Sequence, residues 1–81
     1  MRALNVAGTA IDLSDQNSPF NQGATVVVIN LTAGSLILQS SADNSTYATL
    51  STVLTNEIKE ITLDKQYIKV STAATVTLLG N

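Results

Sequence analysis

Four kinds of side chain in this 81-residue chain could do chemistry. They are the lysines Lys59, Lys65 and Lys69; the carboxylates Asp12, Asp15, Asp43, Asp64, Glu57 and Glu60; the Ser and Thr hydroxyls; and the phenols Tyr47 and Tyr67. The chain has no His and no Cys. The usual general base, the usual metal ligand and the thiolate nucleophile are therefore all missing. A Ser or Thr nucleophile would need a lysine as its base, and each lysine sits in a turn or an alternating strand beside acids that keep it protonated. Paired carboxylates for glycoside chemistry need a cleft between them, which a chain of this length rarely builds. Glu57, Lys59 and Glu60 read instead as an exposed polar strand edge that discourages aggregation.

Hard oxygen ligands occur in Asp43-Asn44-Ser45 and Asp12-Leu13-Ser14-Asp15. Neither has the spacing of a calcium loop, and both read as turns that satisfy their own backbone. Asn30-Leu31-Thr32 and Asn44-Ser45-Thr46 match the glycosylation triplet without a secretory signal, and are read as chance. No phosphate-binding glycine loop is present. The expectation is a protein that is not an enzyme, with no catalytic residue, no metal and no cofactor.

The net charge is −2, from four basic against six acidic residues, which argues against a nucleic-acid partner. No apolar run is long enough to span a bilayer as a helix, so no membrane partner is expected. Charged residues are only 12% of the chain while apolar residues are 44%. That gives little electrostatic repulsion between copies. With Met1 at its start, the chain is expected to be an entire gene product.

The elements that must carry these residues read as strands throughout. No window shows the apolar stripe of an amphipathic helix. Residues 4–13 alternate weakly and break at Gly8. Residues 12–23 form a polar loop with the only proline, Pro19, and with Phe20 expected to fold back onto the core. Residues 24–32 are the strongest strand, with Val27, Ile29 and Leu31 assigned inward. The turn Ala33-Gly34 is read as closing a hairpin with residues 35–40. Further strands follow at 46–50, 57–63 (with a bulge near Lys59), 66–71 and 74–79, while 51–56 is ambiguous. Turn signals recur about every 8–12 residues. The expected fold is all-β: a small antiparallel β-sandwich, jelly-roll-like, of six to seven short strands. Residues 1–23 are expected as an N-terminal arm and loop, and residues 24–81 as the sandwich domain. The expected inward set is Val27, Ile29, Leu31, Leu36, Leu38, Leu50, Ile61, Leu63, Ile68, Val70, Val76 and Leu78.

This leaves apolar residues on the opposite faces. A chain this short gains about 3–5 kcal/mol from its core unless something staples it, and no disulfide is available. Either both strand faces are buried within the domain, or one is buried against another copy or a partner surface. The second reading is preferred, and Val26, Val28, Ile37 and Leu79 are its contact residues. Replacing Val28 by Lys separates the two, abolishing assembly in one and folding in the other.

The stretch Leu38-Gln39-Ser40-Ser41-Ala42-Asp43-Asn44-Ser45-Thr46-Tyr47-Ala48-Thr49-Leu50 resembles a strand–turn–strand segment of small virion proteins of tailed bacteriophages. Gln66-Tyr67-Ile68-Lys69-Val70-Ser71, followed by 74–79, is similar to the closing hairpin of those domains. Tyr47 stands where Trp is frequent, and Asn44 where the turn usually has Gly. The resemblance implies a capsid decoration, or cement, protein. Such a protein is made in the host cytoplasm and sits on the outer capsid surface of the virion, often as a homotrimer, bridging neighbouring major capsid subunits. Residues 1–23 would then anchor it by adding a strand to a sheet edge. The alternative is a tail-fibre or baseplate domain, or a carbohydrate-binding sandwich using Tyr47 and Tyr67 as platforms.

Overall fold

The computed structural model describes residues 2–71 and 75–80. The strands are β1 (Arg2–Val6), β2 (Ile11–Asp12), β3 (Thr25–Ile29), β4 (Leu36–Ser41), β5 (Ala48–Val53), β6 (Ile58–Thr62), β7 (Tyr67–Val70) and β8 (Val76–Gly80). They form two four-stranded sheets, ordered β1-β8-β3-β6 and β2-β7-β4-β5. Every pairing is antiparallel. Every connection except the β4–β5 hairpin carries the chain across to the other sheet, which is jelly-roll connectivity. The molecule is a plate, 30 × 29 × 17 Å, with two broad outer faces.

The all-β sandwich is as the alternation predicts, with eight strands. Residues 1–23, expected as an N-terminal arm and loop, supply one edge strand to each sheet through β1 and β2. They also bury Val6, Leu13 and Phe20 in the core. Their pattern is weak because each strand is short and Gly8 lies in a bend between them. Phe20 folds back as expected: a Cβ placed on Gly80 would lie 2.9 Å from its ring. Residues 51–53 extend β5. The expected link Thr72-Ala73 and the start of the last strand at Ala74 lie outside the described residues.

Three sequence expectations are corrected. First, β3 and β4 are not a hairpin: they lie in different sheets. Both edges of β3 are already occupied, by β6 and β8, so β4 must cross over. Second, β6 pairs with β3 without a bulge from Thr62 to Ile58. The irregularity falls in β5, where Ser51 pairs with Leu38 and Thr49 with Gln39, leaving Leu50 as the extra residue. Third, the two faces of β3 are exchanged. Val26 and Val28 are buried at 1% and 0% exposure, while Leu31 is 79% exposed. Val27 and Ile29 face outward and are half-buried.

The register explains the exchange. Directly paired residues share a face. Val26 pairs with Ile61, and Val28 with Leu78, both of them core residues. Position 30 continues the inward series, and there the sequence has Asn. Asn30 is fully buried. Its amide nitrogen donates to the carbonyls of Gly34 (3.0 Å), Val53 (3.0 Å) and Leu54 (3.2 Å). Its amide oxygen accepts from the Thr32 backbone N–H (2.9 Å) and hydroxyl (2.6 Å). Alternation alone favours the phase in which 27, 29 and 31 are apolar. The buried amide reverses it, because its partners supply what water would have given. The remaining core members, Leu36, Leu38, Ile61, Leu63, Ile68, Val70, Val76 and Leu78, are where the sequence puts them, and Val53 joins them. Leu50 packs against this core, partly buried.

Candidate functional site: two unlike outer faces

The chemically capable side chains do not converge. Lys59 reaches across the open side of the sandwich, and its ammonium donates to the Thr52 carbonyl at 3.0 Å. Lys65 pairs with the adjacent Asp64 at 3.5 Å. The Lys69 ammonium stands over the Tyr47 ring, 4.1 Å from its centroid. Among the described residues no three acidic groups come together as a metal-holding cluster.

The two turns with hard oxygen atoms satisfy their own backbone. Asp12 Oδ1 accepts from the Ser14 N–H (2.9 Å), the Ser14 hydroxyl (2.6 Å) and the Gln66 amide (3.1 Å). Asp43 Oδ1 accepts from the backbone of Ser45 (2.9 Å) and Thr46 (3.0 Å) and from the Ser41 hydroxyl (2.9 Å). The Ser14 donors, chiefly, hold Asp12 below the ordinary carboxylate range, and the Thr46 and Ser45 backbone donors do the same for Asp43. Hydrogen bonds to a charged form favour it. Asn44, in the same turn, has φ +60°, the left-handed geometry that Asn tolerates. Of the two glycosylation triplets, the first has its acceptor nitrogen engaged in the core at Asn30.

The outer face of the β2-β7-β4-β5 sheet is polar and aromatic. Register puts Gln39 beside Lys69 and Thr49, and Tyr67 beside Ser41 and Asp12. Tyr47 lies against Lys69, and its hydroxyl donates to Asn44 Oδ1. Gln66 donates to Ser14 Oγ (3.0 Å) and Tyr67 Oη (3.3 Å). Partial burial first, then the neighbouring Tyr67 and Asp43, raise the Tyr47 phenol above its ordinary value. Both tyrosines thus work on one face.

The outer face of the β1-β8-β3-β6 sheet is different. One row across it runs Ala3, Leu79, Val27, Glu60, and the next runs Asn5, Thr77, Ile29, Ile58. Ile58 is 69% exposed, and Leu31 extends the patch beyond Ile29, where a groove lies between Ile29, Leu31, Thr75 and Thr77. In these two rows Glu60 is the single charge.

The four contact residues expected from sequence do not come together. Val26 and Val28 are core. Ile37 pairs with Thr52 on the outside of the polar sheet. Only Leu79 lies on the apolar face, where its companions are Val27, Ile29, Leu31 and Ile58. Sequence reasoning missed these four because three were assigned inward and Ile58 was read as out of phase. The available signal was Asn30. Treated as an inward polar residue, it restores the phase of β3, and Ile58, opposite Ile29, then falls outward without a bulge.

No protein-family model, no curated protein and no solved structure matches this chain.

Proposed function

We propose that this chain is a virion structural protein, binding the outer surface of a phage capsid and bridging neighbouring major capsid subunits, with no catalytic step of its own. The observation that carries the reading is the contrast between the two broad faces of the plate. One presents Val27, Ile29, Leu31, Ile58 and Leu79; the other presents tyrosines, amides, hydroxyls and Lys69. Exposed apolar patches of this kind mark contact surfaces. A plate with one apolar side is suited to lie on a larger surface and show its polar side to solvent. Many copies, each bound modestly, stabilise a shell by mass action. Self-association belongs to the same reading, since low charge leaves little to hold copies apart.

The test is saturation of purified expanded heads that lack the protein. The wild type should pellet with the heads at a fixed stoichiometry, and Ile58→Lys, an exposed substitution, should lose occupancy while remaining folded. Equal binding by Ile58→Lys, or no binding by the wild type, contradicts the proposal.

A second reading has its own observation. Tyr47 and Tyr67 share the polar face with Lys69 and Gln39, the kind of surface on which a tail-fibre, baseplate or carbohydrate-binding module stacks and hydrogen-bonds a sugar. Saturable binding on a glycan array that is lost in Tyr67→Ala favours it.

A further inference from the structure

A sandwich of open sheets has four edge strands, and here they are β1 and β6 in one sheet and β2 and β5 in the other. Unpaired strand edges recruit other strands unless something blocks them. Three of the four are blocked. On β6, Lys59 occupies an inward position opposite Val28 and sends its ammonium to Thr52; an inward charge of this kind keeps an incoming strand out. β5 is interrupted by its bulge at Leu50. β2 is only two residues long. The edge of β7 beyond it is already used, since the Val70 N–H donates to the Ala7 carbonyl at 2.9 Å.

β1 is blocked at one end only, where Arg2 is in phase with the inward-facing Leu4 and Val6; from Ala3 onward it has none of these devices. It is five residues long, with no proline, glycine or bulge. Among the described residues, it makes backbone hydrogen bonds to β8 alone. Its single charge, Arg2, stands at one end and is held by the Pro19 carbonyl at 3.2 Å. Beside it lies an open groove lined by Leu4, Ala10 and Ile11 and, around them, by Asp12, Asp15, Asn17 and Ser18.

We infer that β1 is a dimerisation edge and that its occupant is β1 of a second copy, paired antiparallel about a two-fold axis at Leu4. The edge is complementary to itself in that register. Leu4 meets Leu4, Ala3 lies opposite Asn5, and Arg2 lies opposite Val6, so the strand pairing itself sets no like charges face to face. Pairing joins the two β1-β8-β3-β6 sheets into one continuous eight-stranded sheet. It also places the two apolar outer faces side by side on the same surface. The contact is isologous, so it yields a dimer where the phage resemblance implies a trimer. The inference rests on the reading of the chain as self-associating and names the contact.

Sedimentation at micromolar concentration tests it with two charge-swapped variants of exposed positions. Ala3→Glu/Asn5→Glu sets Glu against Glu twice across the seam, and Ala3→Lys/Asn5→Lys sets Lys against Lys. The wild type should be a dimer. Each variant alone should dissociate about tenfold more readily, and an equimolar mixture should recover the dimer as a heterodimer. Leu4→Lys, which copies the Lys59 device onto β1, should give a folded monomer by circular dichroism. A wild-type monomer or trimer overturns the inference. So does a dimer that withstands both charge swaps but dissolves in Ile58→Lys, since that dimer would use the apolar face. Head binding by Ile58→Lys is a separate readout, so loss of the docking reading and loss of the β1 seam are told apart.

Discussion

The Asn30 amide donates to the Val53 carbonyl at 3.0 Å, and that contact ties β3 of one sheet to the end of β5 in the other. The same side chain also holds the Gly34 and Leu54 carbonyls and the Thr32 hydroxyl, so two loops close on it. Removing it strands the buried Val53 carbonyl. Asn30→Ala should lower stability by about 1–3 kcal/mol. Asn30→Asp should cost at least as much, because it points a carboxylate at three carbonyl oxygens. Urea unfolding of the two variants checks this. A wild-type midpoint in Asn30→Asp would show that the amide hydrogens are not used.

The two faces of β3 should respond oppositely to the same substitution. Val28→Lys buries an ammonium with no partner and should cost about 4 kcal/mol or more, enough to unfold a domain of this size. Val27→Lys, one residue away on the outer face, should keep its near-native circular dichroism and melting behaviour. If Val27→Lys unfolds and Val28→Lys does not, the two faces of β3 are the other way round.

Gly80 is set against Phe20. A methyl group there would stand 2.9 Å from the Phe20 ring and 3.4 Å from Val26 Cγ1. Gly80→Ala should destabilise by about 1–3 kcal/mol through overpacking. Shrinking the ring with Phe20→Leu should relieve part of that cost, so the double variant should be more stable than the sum of the singles predicts. Strict additivity would mean that the two residues do not touch.

The Asp43 turn should weaken in acid. Its carboxylate is held below its ordinary value of 3.8 by the Thr46 and Ser45 backbone donors and the Ser41 hydroxyl. A depressed folded-state value means the unfolded chain binds the proton first. The stabilisation is therefore present above 3.8 and is lost as pH falls through the folded value. Carbon-13 titration of the Asp43 carboxyl should give a midpoint below that of an unstructured peptide. The slope of stability against acid pH should be shallower in Asp43→Asn. An ordinary midpoint contradicts the hydrogen-bond pattern.

The all-β architecture was legible because Leu36 and Leu38, Ile68 and Val70, and Val76 and Leu78 recur at every second position in β4, β7 and β8. The Asp43-Asn44 turn was equally plain, since its side chains carry the geometry themselves. The phase of β3 was not legible, because Val26 to Ile29 offers branched aliphatics to both faces. The deciding residue, Asn30, owes its burial in part to the Val53 and Leu54 carbonyls, more than twenty residues away in sequence. β1 and β2 were hidden by brevity, and their strand character comes from β8 and β7, their long-range partners. The candidate face inherits the error in phase: Val27 and Ile29 read as core in place of Val26 and Val28, while Leu79 and Ile37 face outward from different sheets.

On the proposed function, the sheet face bearing Val27, Ile29, Leu31, Ile58 and Leu79 is the one that meets the shell. Hydroxyl-radical footprinting of the protein, free and bound to heads, measures this directly. Leu31, Ile58 and Leu79 should be strongly protected on binding, with Tyr47 and Tyr67 labelled as in the free protein. Protection of the tyrosines with Leu31 and Ile58 still reactive would contradict it.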